Sequence, residues 1–535
     1  TALREFEPTV DGQECTLSGH TVKGIGGGKF YAILNDVGGV DNNGTKFMTA
    51  GGHSWNRKKS GYPPTVLDFG ALGKGAGFPD SAAFQNAANN GDFHIPSCDQ
   101  YYLVGGLSIP AGTTVTGEKI YTYTAFNVSN IVGKNAVVYD VSDPTFISWG
   151  NNCSIINCSF HGVDRSRKFL DTSSGSNIRM FRCDVFRFSV GFGDNNGIGN
   201  CRVLESHFSG NTNGIRGLVD SHVYMCEINA NEESGVVIAT GHNDTNYIGN
   251  KVEWNNGKGF EVFSGNASNI IIGGVIDRNG EAGVSVTSDA GLLISTVKFR
   301  RNGRLSEGTT EQDCHISIRG DVSKKLRISN IQTAAGGDDG GGSYISPKYT
   351  IVAANGGNII GSLSDSDLTG ATSHVFRRVS GGTLTVGNFS DNNVTGLELF
   401  DAGSVVFSSG SGNEGYKFFG EGYSSIKTEV YSGATLDVTF SSLPTIGTYS
   451  KKSYLVDILT RNAASGNTGS QRYLLVCTRE GGAANDVLLE IFSTAGNNPL
   501  VSAGFNPDGS ILTLTLDPQS ASLQSTLAIS KVVDF

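Results

Sequence analysis

Two acidic residues, Glu253 and Asp277, each follow a single apolar residue at equivalent places in a repeated sequence phrase. Two carboxyl groups held close together repel each other when both are ionised, so the pKa of one should rise while the other stays ionised. An acid and a base are then obtained from the same kind of side chain, which is what hydrolysis of a glycosidic bond usually requires. We therefore predict that Glu253 and Asp277 form a catalytic pair.

Other side chains close to this pair in the sequence suit a sugar substrate. Trp254 offers a flat apolar ring, and arginine side chains can keep a carboxylate ionised or bind an acidic sugar. The predicted substrate-binding residues are Glu227, Trp254, Arg278, Arg300, Arg301 and His207. His207 could also assist proton transfer, although single histidines on such surfaces are mostly solvated.

Several alternatives stay open at this point. The simpler interpretation is a solvated ladder of charges on an outer sheet, where stacked opposite charges mildly stabilise strand pairing. Other carboxylates that could take part are Glu205, Glu232, Glu233, Asp244 and Glu261. A lyase acting on an acidic polymer would need a base and a cation, for which Lys251, Arg278 and Arg300 are suitable. A site between subunits is equally allowed, and the carboxylate separation that decides retention or inversion is not fixed.

A repeat of 20 to 24 residues must position these side chains. Its copies between residues 200 and 305 end at Asn211, Asn231, Asn255, Asn279 and Asn302. This period is too short for a βαβ unit and is typical of one turn of a parallel β-solenoid. Equivalent positions of successive turns then stack at ~4.8 Å, so Glu253 and Asp277 are predicted to be direct neighbours.

Side-chain alternation along the strands predicts which positions face the core. The inward apolar positions are Phe208, Ile228, Val252, Ile276 and Phe299. The outward column that follows them is His161, Phe186, Ser209, Asn229, Glu253, Asp277 and Arg300. The Asn at the end of each copy is predicted to adopt the left-handed conformation at a corner and to bond the next Asn. Cys158, Cys183 and Cys226 share an inward position and are predicted to be small core residues.

Composition and the pattern of apolar residues divide the chain into four predicted segments. Gly contributes 74 of 535 residues and Pro only 12, which favours many tight turns in an all-β fold. The segments are 1–62, a small β head module; 63–115, a capping helix and the start of the solenoid; 116–422, a parallel β-helix with the site; and 423–535, an antiparallel β-sandwich. The helix is predicted at residues 80–88 with Asp80 as its N-cap.

The same features exclude several classes of partner. The net charge is −10 without a long basic run, which argues against nucleic acid. No stretch reaches 18 apolar residues, so membrane insertion is not expected. No metal ion or other cofactor is predicted, because the acidic spacing of a calcium loop does not occur.

Three passages resemble the tailspike depolymerases of tailed bacteriophages. Leu3-Arg-Glu-Phe6, Gly24-Ile-Gly-Gly-Gly28 and Thr49-Ala-Gly-Gly-His53 are similar to the small head module of many spikes. Val66-Leu-Asp-Phe-Gly-Ala71 with Asp80 looks like the pectate-lyase-type start of a right-handed β-helix. Val252-Glu-Trp-Asn-Asn-Gly257 resembles a turn of several capsule-degrading spikes. The segment between Gly73 and Asp80 departs from the usual acidic motif of that start, which removes any acidic role there.

The resemblance implies a homotrimer that binds and cleaves host surface polysaccharide, either capsule or O-antigen. It also implies a place in the virion, with assembly in the host cytoplasm, attachment to the tail or baseplate through the N-terminal region, and action at the bacterial surface. The C-terminal sandwich would hold the trimer together, bind carbohydrate, or do both. The rival from another functional class is a non-catalytic receptor-binding spike or adhesin that holds the glycan in the same groove.

Overall fold

The regular secondary structure of the described residues is almost entirely β-strand. The computed structural model describes residues 2–23, 25–58, 62–118, 136–170, 175–263, 265, 268–287, 291–307, 311–320, 326–336, 346–354, 358–379, 383–394, 397–400, 404–407, 423–430, 435–439, 449–462, 468–480, 483–495, 500–505, 511–516 and 523–534. The chain divides into two units. The first unit comprises Thr1–Ser285 with Asn302–Ser306, and the second comprises Val286–Arg301 with Glu307–Phe535.

A four-stranded antiparallel sheet forms the N-terminal module, after a short helix at Ala2–Glu5. Its strands, in spatial order, are Glu14–Leu17, Gly28–Ile33, Ser54–Arg57 and Lys46–Met48. Apolar residues on one face of these strands build a small core of their own, in which Phe30, Phe47 and Trp55 are fully buried. The N-terminal segment is therefore a small antiparallel β-structure with a core of its own.

Next along the chain come a 3-10 helix at Val66–Phe69 and an α-helix at Ser81–Asn89. The ring of Phe84 packs 6.2 Å from Phe93 and 5.3 Å from Tyr102, which lie in the first strands of two parallel sheets. The helix thus covers strands that would otherwise begin with an open edge. Asp80 is the N-cap by position, but the predicted cap bond is absent: its carboxylate accepts hydrogen bonds from the backbone N–H groups of Leu72 and Gly73.

Three parallel sheets then build the coil of the first unit. Sheet 1 contains Phe93–Ile95, Thr114–Gly117, Ser154–Ile156, Arg179–Phe181, Arg202–Leu204, His222–Tyr224, Asn246–Ile248 and Asn269–Ile272. Sheet 2 contains Tyr102–Val104, Ala136–Tyr139, Ser159–His161, Asp184–Phe186, His207–Ser209, Glu227–Asn229, Lys251–Glu253 and Val275–Asp277. Sheet 3 contains Val190–Gly199, Asn213–Val219, Val236–Ile238 and Phe260–Val262. Leu107–Ile109 and Ile147–Trp149 form a further parallel pair, and Val284–Thr287 holds residues of both units.

The register of sheet 2 is the one predicted from the repeat. Phe208 pairs with Ile228, Ile228 with Val252, and Val252 with Ile276, and all four side chains are buried. The cysteine prediction is also confirmed. Cys158, Cys183 and Cys226 are buried and free, which agrees with a narrow core filled by small side chains.

A ladder of buried asparagines closes the corner after sheet 2. The Asn255 amide donates to Asn279 Oδ1 at 2.9 Å, and the same contact recurs between the other neighbouring copies. The predicted ladder is therefore confirmed, but the predicted left-handed Asn is wrong. The residue before the Asn takes that conformation, as at Ala230 (φ 51°) and Trp254 (φ 57°). The Asn side chain can then turn inward and bond along the stack.

The second unit continues with parallel pairs. Its strands up to residue 407 are Leu292–Ser295, Lys298–Arg300, Cys314–Arg319, Leu326–Ser329, Gln332–Ala334, Tyr349–Ala354, Asn358–Ile360, Ser362–Ser364, His374–Arg378, Thr383–Val386, Phe389–Ser390, Glu398–Phe400 and Ser404–Phe407. The remaining strands are antiparallel and form a five-stranded and a three-stranded sheet. They are Tyr423–Val430, Thr435–Thr439, Tyr449–Asn462, Thr468–Glu480, Ala483–Ala495, Leu500–Phe505, Ile511–Leu516 and Leu523–Asp534. The packing of these two sheets as a sandwich, like the trimer, stays a prediction.

Candidate functional site

Glu253 and Asp277 end two adjacent strands of sheet 2 and are direct partners in the register. Neighbouring strands lie ~4.8 Å apart, so the two side chains leave the sheet side by side, as predicted. Only 6% of Glu253 and 2% of Asp277 is exposed. Such burial does not fit a solvated charge ladder, because buried carboxylates are costly unless they are paired and hydrogen-bonded.

Each of the two carboxylates has its own cation. Lys251 Nζ lies 2.6 Å from Glu253 Oε1, and Arg278 Nη1 donates to Asp277 Oδ2 at 2.8 Å. The cations differ in their surroundings: the Lys251 side chain is half exposed, whereas the Arg278 side chain is buried. Of the predicted site residues, Glu253, Asp277 and Arg278 therefore lie together. Lys251 contacts Glu253 from the solvent-exposed side.

A column of polar side chains leads along sheet 2 towards Glu253. Its upper part begins at Ser159, whose hydroxyl donates to Asp184 Oδ2 at 3.1 Å. His207 Nδ1 lies 3.8 Å from Asp184 Oδ1, and His207 Nε2 lies 3.0 Å from Asn229 Oδ1. Asp184 and Asn229 thus hold the imidazole ring of His207 from two sides.

The lower part of this polar column reaches the carboxylate pair. Asn229 Nδ2 donates to Glu227 Oε1 at 3.0 Å, and Lys251 Nζ lies 3.6 Å from the same Glu227 oxygen. Lys251 therefore contacts both Glu227 and Glu253. Two predicted binding residues, His207 and Glu227, are connected in this way to the predicted catalytic residue Glu253. A change at one of these positions should be felt at the others.

Trp254 occupies the left-handed corner position next to the pair. The guanidinium carbon of Arg278 lies 4.8 Å from its ring centroid, and that of Arg304 lies 5.5 Å away. Arg304 is fixed by donating to the Arg278 carbonyl at 2.8 Å and to Asn256 Oδ1 at 3.0 Å. The ring is thus engaged by two cations, and its stacking on a sugar stays a prediction. Sequence reasoning missed Arg304 because it follows the last regular copy of the repeat, where the register no longer places a side chain.

Arg300 and Arg301 belong to the second unit. Arg300 ends the strand Lys298–Arg300, and Arg301 is buried with φ 42°. Their predicted contact with substrate stays a prediction.

The other candidate carboxylates have structural roles of their own. Glu205 pairs with Arg182 at 2.8 Å, and Glu232 pairs with Arg165 at 2.9 Å. Glu233 accepts from Asn213 at 3.1 Å, Glu261 lies 2.8 Å from Lys258, and Asp244 takes φ 54° at a corner. None of these contacts places two carboxylates in neighbouring turns of sheet 2.

Within the described ranges, His, Cys, Asp and Glu side chains form no group of three or more that could hold a metal ion. The helices in that part of the chain are all too short or too polar to cross a membrane.

The first 60 residues match a known family, described as the phage tail protein small four-stranded beta-sheet domain. The match covers residues 1–60, the segment that forms the four-stranded antiparallel sheet. This match confirms the predicted resemblance of the N-terminal segment to a phage tail module, which is followed in this chain by the parallel sheets of the coil.

Three of the solved structures that are similar to this chain each align with 99% of its residues. The enzymatically active domain of tailspike protein 2 from bacteriophage CBA120 is 15% identical, with 88% of that chain covered and a TM-score of 0.42. Tailspike protein gp49 of Acinetobacter baumannii bacteriophage Fri1, a capsular polysaccharide depolymerase, is 10% identical, with 99% covered and a TM-score of 0.38. WceF of Pantoea stewartii, a glycan biofilm modifying enzyme, is 12% identical, with 70% covered and a TM-score of 0.31.

Proposed function

We propose that this protein is a phage tailspike that depolymerises a host surface polysaccharide, capsule or O-antigen, by endo-acting hydrolysis at Glu253 and Asp277. The observation that carries the proposal is the burial of two carboxylates in neighbouring turns of one sheet, each with a separate cation. A pair of this kind offers the acid and the base of glycoside hydrolysis.

The two cations suggest how the roles are divided. The buried Arg278 guanidinium contacts Asp277, so Asp277 is assigned as the base or nucleophile. Glu253 shares the half-exposed Lys251 with Glu227, so the charge of this lysine is divided between two carboxylates. Glu253 is therefore assigned as the proton donor to the leaving oxygen, and Lys251 as a residue that positions it.

The function is tested on purified capsular polysaccharides and O-antigens. Each polymer is incubated with wild type, Glu253→Gln, Asp277→Asn and the control Glu205→Gln, and is then sized by gel filtration. Glu205 is a suitable control because it is a carboxylate in the same coil, paired with Arg182 on an exposed surface. We expect wild type and the control to shorten the polymer and the two site variants to leave it long.

Other results would separate the alternatives. Shortening by all four proteins would keep the depolymerase and move its site away from this pair. A polymer that binds tightly and stays long would favour the non-catalytic receptor-binding spike.

A lyase is the second candidate, and one observation favours it. Lys251 and Arg278 lie directly at the carboxylate pair, where they could neutralise the carboxylate of a uronic acid while a base removes a proton. Elimination leaves an unsaturated sugar that absorbs ultraviolet light, whereas hydrolysis leaves none. Ultraviolet absorbance that rises together with the number of new reducing ends would show that the bond is cleaved by elimination and not by hydrolysis.

Assembly is part of the same proposal. We propose a homotrimer in the virion, with residues 1–60 attaching it to the tail and the C-terminal sheets helping to hold three chains together. The phage tail match of residues 1–60 supports the attachment. Light scattering before and after deletion of residues 423–535 tests whether the C-terminal sheets hold the trimer together. An unchanged trimer after the deletion would refute that role.

A further inference from the structure

Sheet 1 carries a row of apolar side chains on its outer face. The last residue of each strand faces outward, because the residue before it is buried in the core, as Val203, Val223 and Tyr247 are. The outward residues of six successive turns are register partners, and we call them the apolar stripe: Ile156, Phe181, Leu204, Tyr224, Ile248 and Ile272. All six are only half-buried, and residues 175–263, which carry four of them, are described without a gap. The stripe is therefore part of the outer surface of the coil.

The same strand position is polar on the neighbouring sheet. The residues that end the strands of sheet 2 are His161, Phe186, Ser209, Asn229, Glu253 and Asp277, of which only Phe186 is apolar. The general preference of strands for branched and aromatic residues applies to both sheets, so it does not explain the difference. An apolar row kept through six turns indicates that sheet 1 contacts something other than water.

The corner after sheet 1 leaves the stripe accessible from one side. Met225, which follows Tyr224 with φ 51°, is 71% exposed. In the next two turns the corner residues are Gly249 with φ 67° and Gly273 with φ 64°, so the corner there is bare backbone. A partner can therefore approach these turns closely.

The polar groups beside the stripe bond to one another. Tyr224 Oη and Asn246 Nδ2 each lie 3.2 Å from His222 Nδ1. The Tyr224 ring also stacks on the His222 ring, with centroids 5.5 Å apart and planes 9° from parallel. A partner can cover these groups without breaking their hydrogen bonds, as buried polar groups require. The surface thus suits a dry protein contact better than it suits a sugar, whose hydroxyl groups need polar partners.

The size of this face also points to a protein partner. Five strand-to-strand steps of ~4.8 Å give the stripe a length of about 24 Å. A three-residue strand with one corner residue on each side is about 17 Å wide, so the face measures about 400 Å². A stable contact between two chains covers about 800 Å² of each partner. The face can supply about half of such a contact, and the C-terminal sheets proposed to hold the trimer would supply the rest.

We propose that the apolar stripe of sheet 1 is a contact between copies of this chain, so that sheet 1 faces the axis of the trimer. The stripe of a second copy has the same straight course and the same ~4.8 Å spacing, so the two ladders match rung by rung. The inference rests on the trimer of the proposed function and goes further by assigning a surface that holds it together. Sheet 2 follows sheet 1 around each turn, and this arrangement leaves its carboxylate pair on the outside of the assembly.

The first test replaces two residues of the stripe by lysine. A chain with both Leu204→Lys and Ile248→Lys is compared with a control that carries Val141→Lys and Val163→Lys. The control places the same charges on exposed valines that follow strands of sheet 2. Both double variants change the outer surface and leave the core intact, so both should fold, which thermal unfolding checks. Light scattering should find trimers for wild type and the control, and single chains for the stripe variant, because losing two apolar contacts per chain weakens association by roughly 100-fold or more.

The second test needs no substitution and stands even if the stripe variant fails to fold. The methionines of the chain are Met48, Met180 and Met225, of which Met180 is fully buried and Met225 is exposed in a single chain. Hydrogen peroxide converts an accessible methionine to its sulfoxide, and mass spectrometry follows each position separately. We expect Met225 of the native trimer to oxidise several-fold more slowly than in the same protein unfolded in urea, because a partner chain covers it. Met180 is the internal reference for a buried methionine.

Two results would overturn the contact between copies. One is a folded stripe variant that stays a trimer, and the other is a native trimer in which Met225 oxidises as fast as in urea. Either result leaves the trimer in place and assigns the stripe to a different partner, such as a tail protein.

The proposed activity is read separately from this contact. A trimer that depends on the stripe but leaves every polymer long would uphold the contact and remove the depolymerase. A wild type that is a single chain would remove both the trimer and the contact, whereas shortening of a polymer by that single chain would keep the activity.

Discussion

Replacing Asn255 by Ala should open the coil locally around the corner after sheet 2. Asn255 is fully buried, and its side chain makes four hydrogen bonds. Its Oδ1 accepts from the backbone N–H and the amide of Asn231, and its Nδ2 donates to Asn279 Oδ1 and to the Ile228 carbonyl. Alanine keeps the backbone but removes all four contacts.

The cost follows from these bonds. Each intramolecular hydrogen bond contributes about 1 kcal/mol net, and a buried group left without a partner costs about 1–3 kcal/mol. The backbone N–H and the side-chain amide of Asn231 would both lose Asn255 Oδ1 as their acceptor. We therefore expect the free energy of unfolding of this part of the coil to fall by about 3–5 kcal/mol. A control is Asn196→Ala, an exposed residue of the strand Val190–Gly199, where the change should stay within about 0.5 kcal/mol.

Amide hydrogen exchange measured by mass spectrometry reports this loss without requiring reversible unfolding. A change of about 1.4 kcal/mol is tenfold in an equilibrium constant, so protection in peptides containing Asn231 and residue 255 should fall by roughly two to three and a half orders of magnitude. Peptides from the separate core around Phe30 and Phe47 act as an internal reference. Equal protection in Asn255→Ala and Asn196→Ala would refute the claim that the ladder holds the turns together.

Three further predictions concern the site and the core. Glu253→Gln and Asp277→Asn should each lower kcat by roughly 10²–10⁴-fold in a reducing-end assay while the polymer still binds; an unchanged kcat would remove the residue from the chemistry. The Cys226 thiol should resist a thiol reagent at pH 8 in the folded protein and react after unfolding, because burial raises its pKa to about 12; rapid labelling of the native protein would contradict its place in the core. Arg304→Gln should destabilise the Trp254 corner by about 0.5–2 kcal/mol through loss of the cation–π contact, and thermal unfolding identical to wild type would count against that contact.

The regular part of the coil could be predicted because each of its turns repeats the same local chemistry. A single inward apolar residue per copy set the register from Phe208 to Ile276, and that register placed Glu253 against Asp277. The left-handed conformation was predicted for the Asn, but the residue before the Asn adopts it. The sequence does not separate the two positions, because an Asn can either adopt this conformation or form the ladder of side-chain hydrogen bonds, and here it does the second.

Contacts made by irregular segments could not be derived from the repeat. Arg304 reaches Trp254 from a turn outside the regular pattern, and Arg165 reaches Glu232 from a loop. Neither contact has a fixed sequence spacing that a period could reveal. The sequence also left open whether the outward column is solvated, because it does not show which side chains fold over it.

The constant register of sheet 2 also makes the coil a molecular ruler. The separation between His161 and Glu253 is a whole number of strand spacings, so it can change only in increments of ~4.8 Å, by gain or loss of complete turns. Duplication of one repeat would lengthen the groove by one rung without disturbing either end, because each turn contacts only its neighbours. Variation in the number of turns would then offer a route by which such a protein adapts to polymers whose repeating units differ in length.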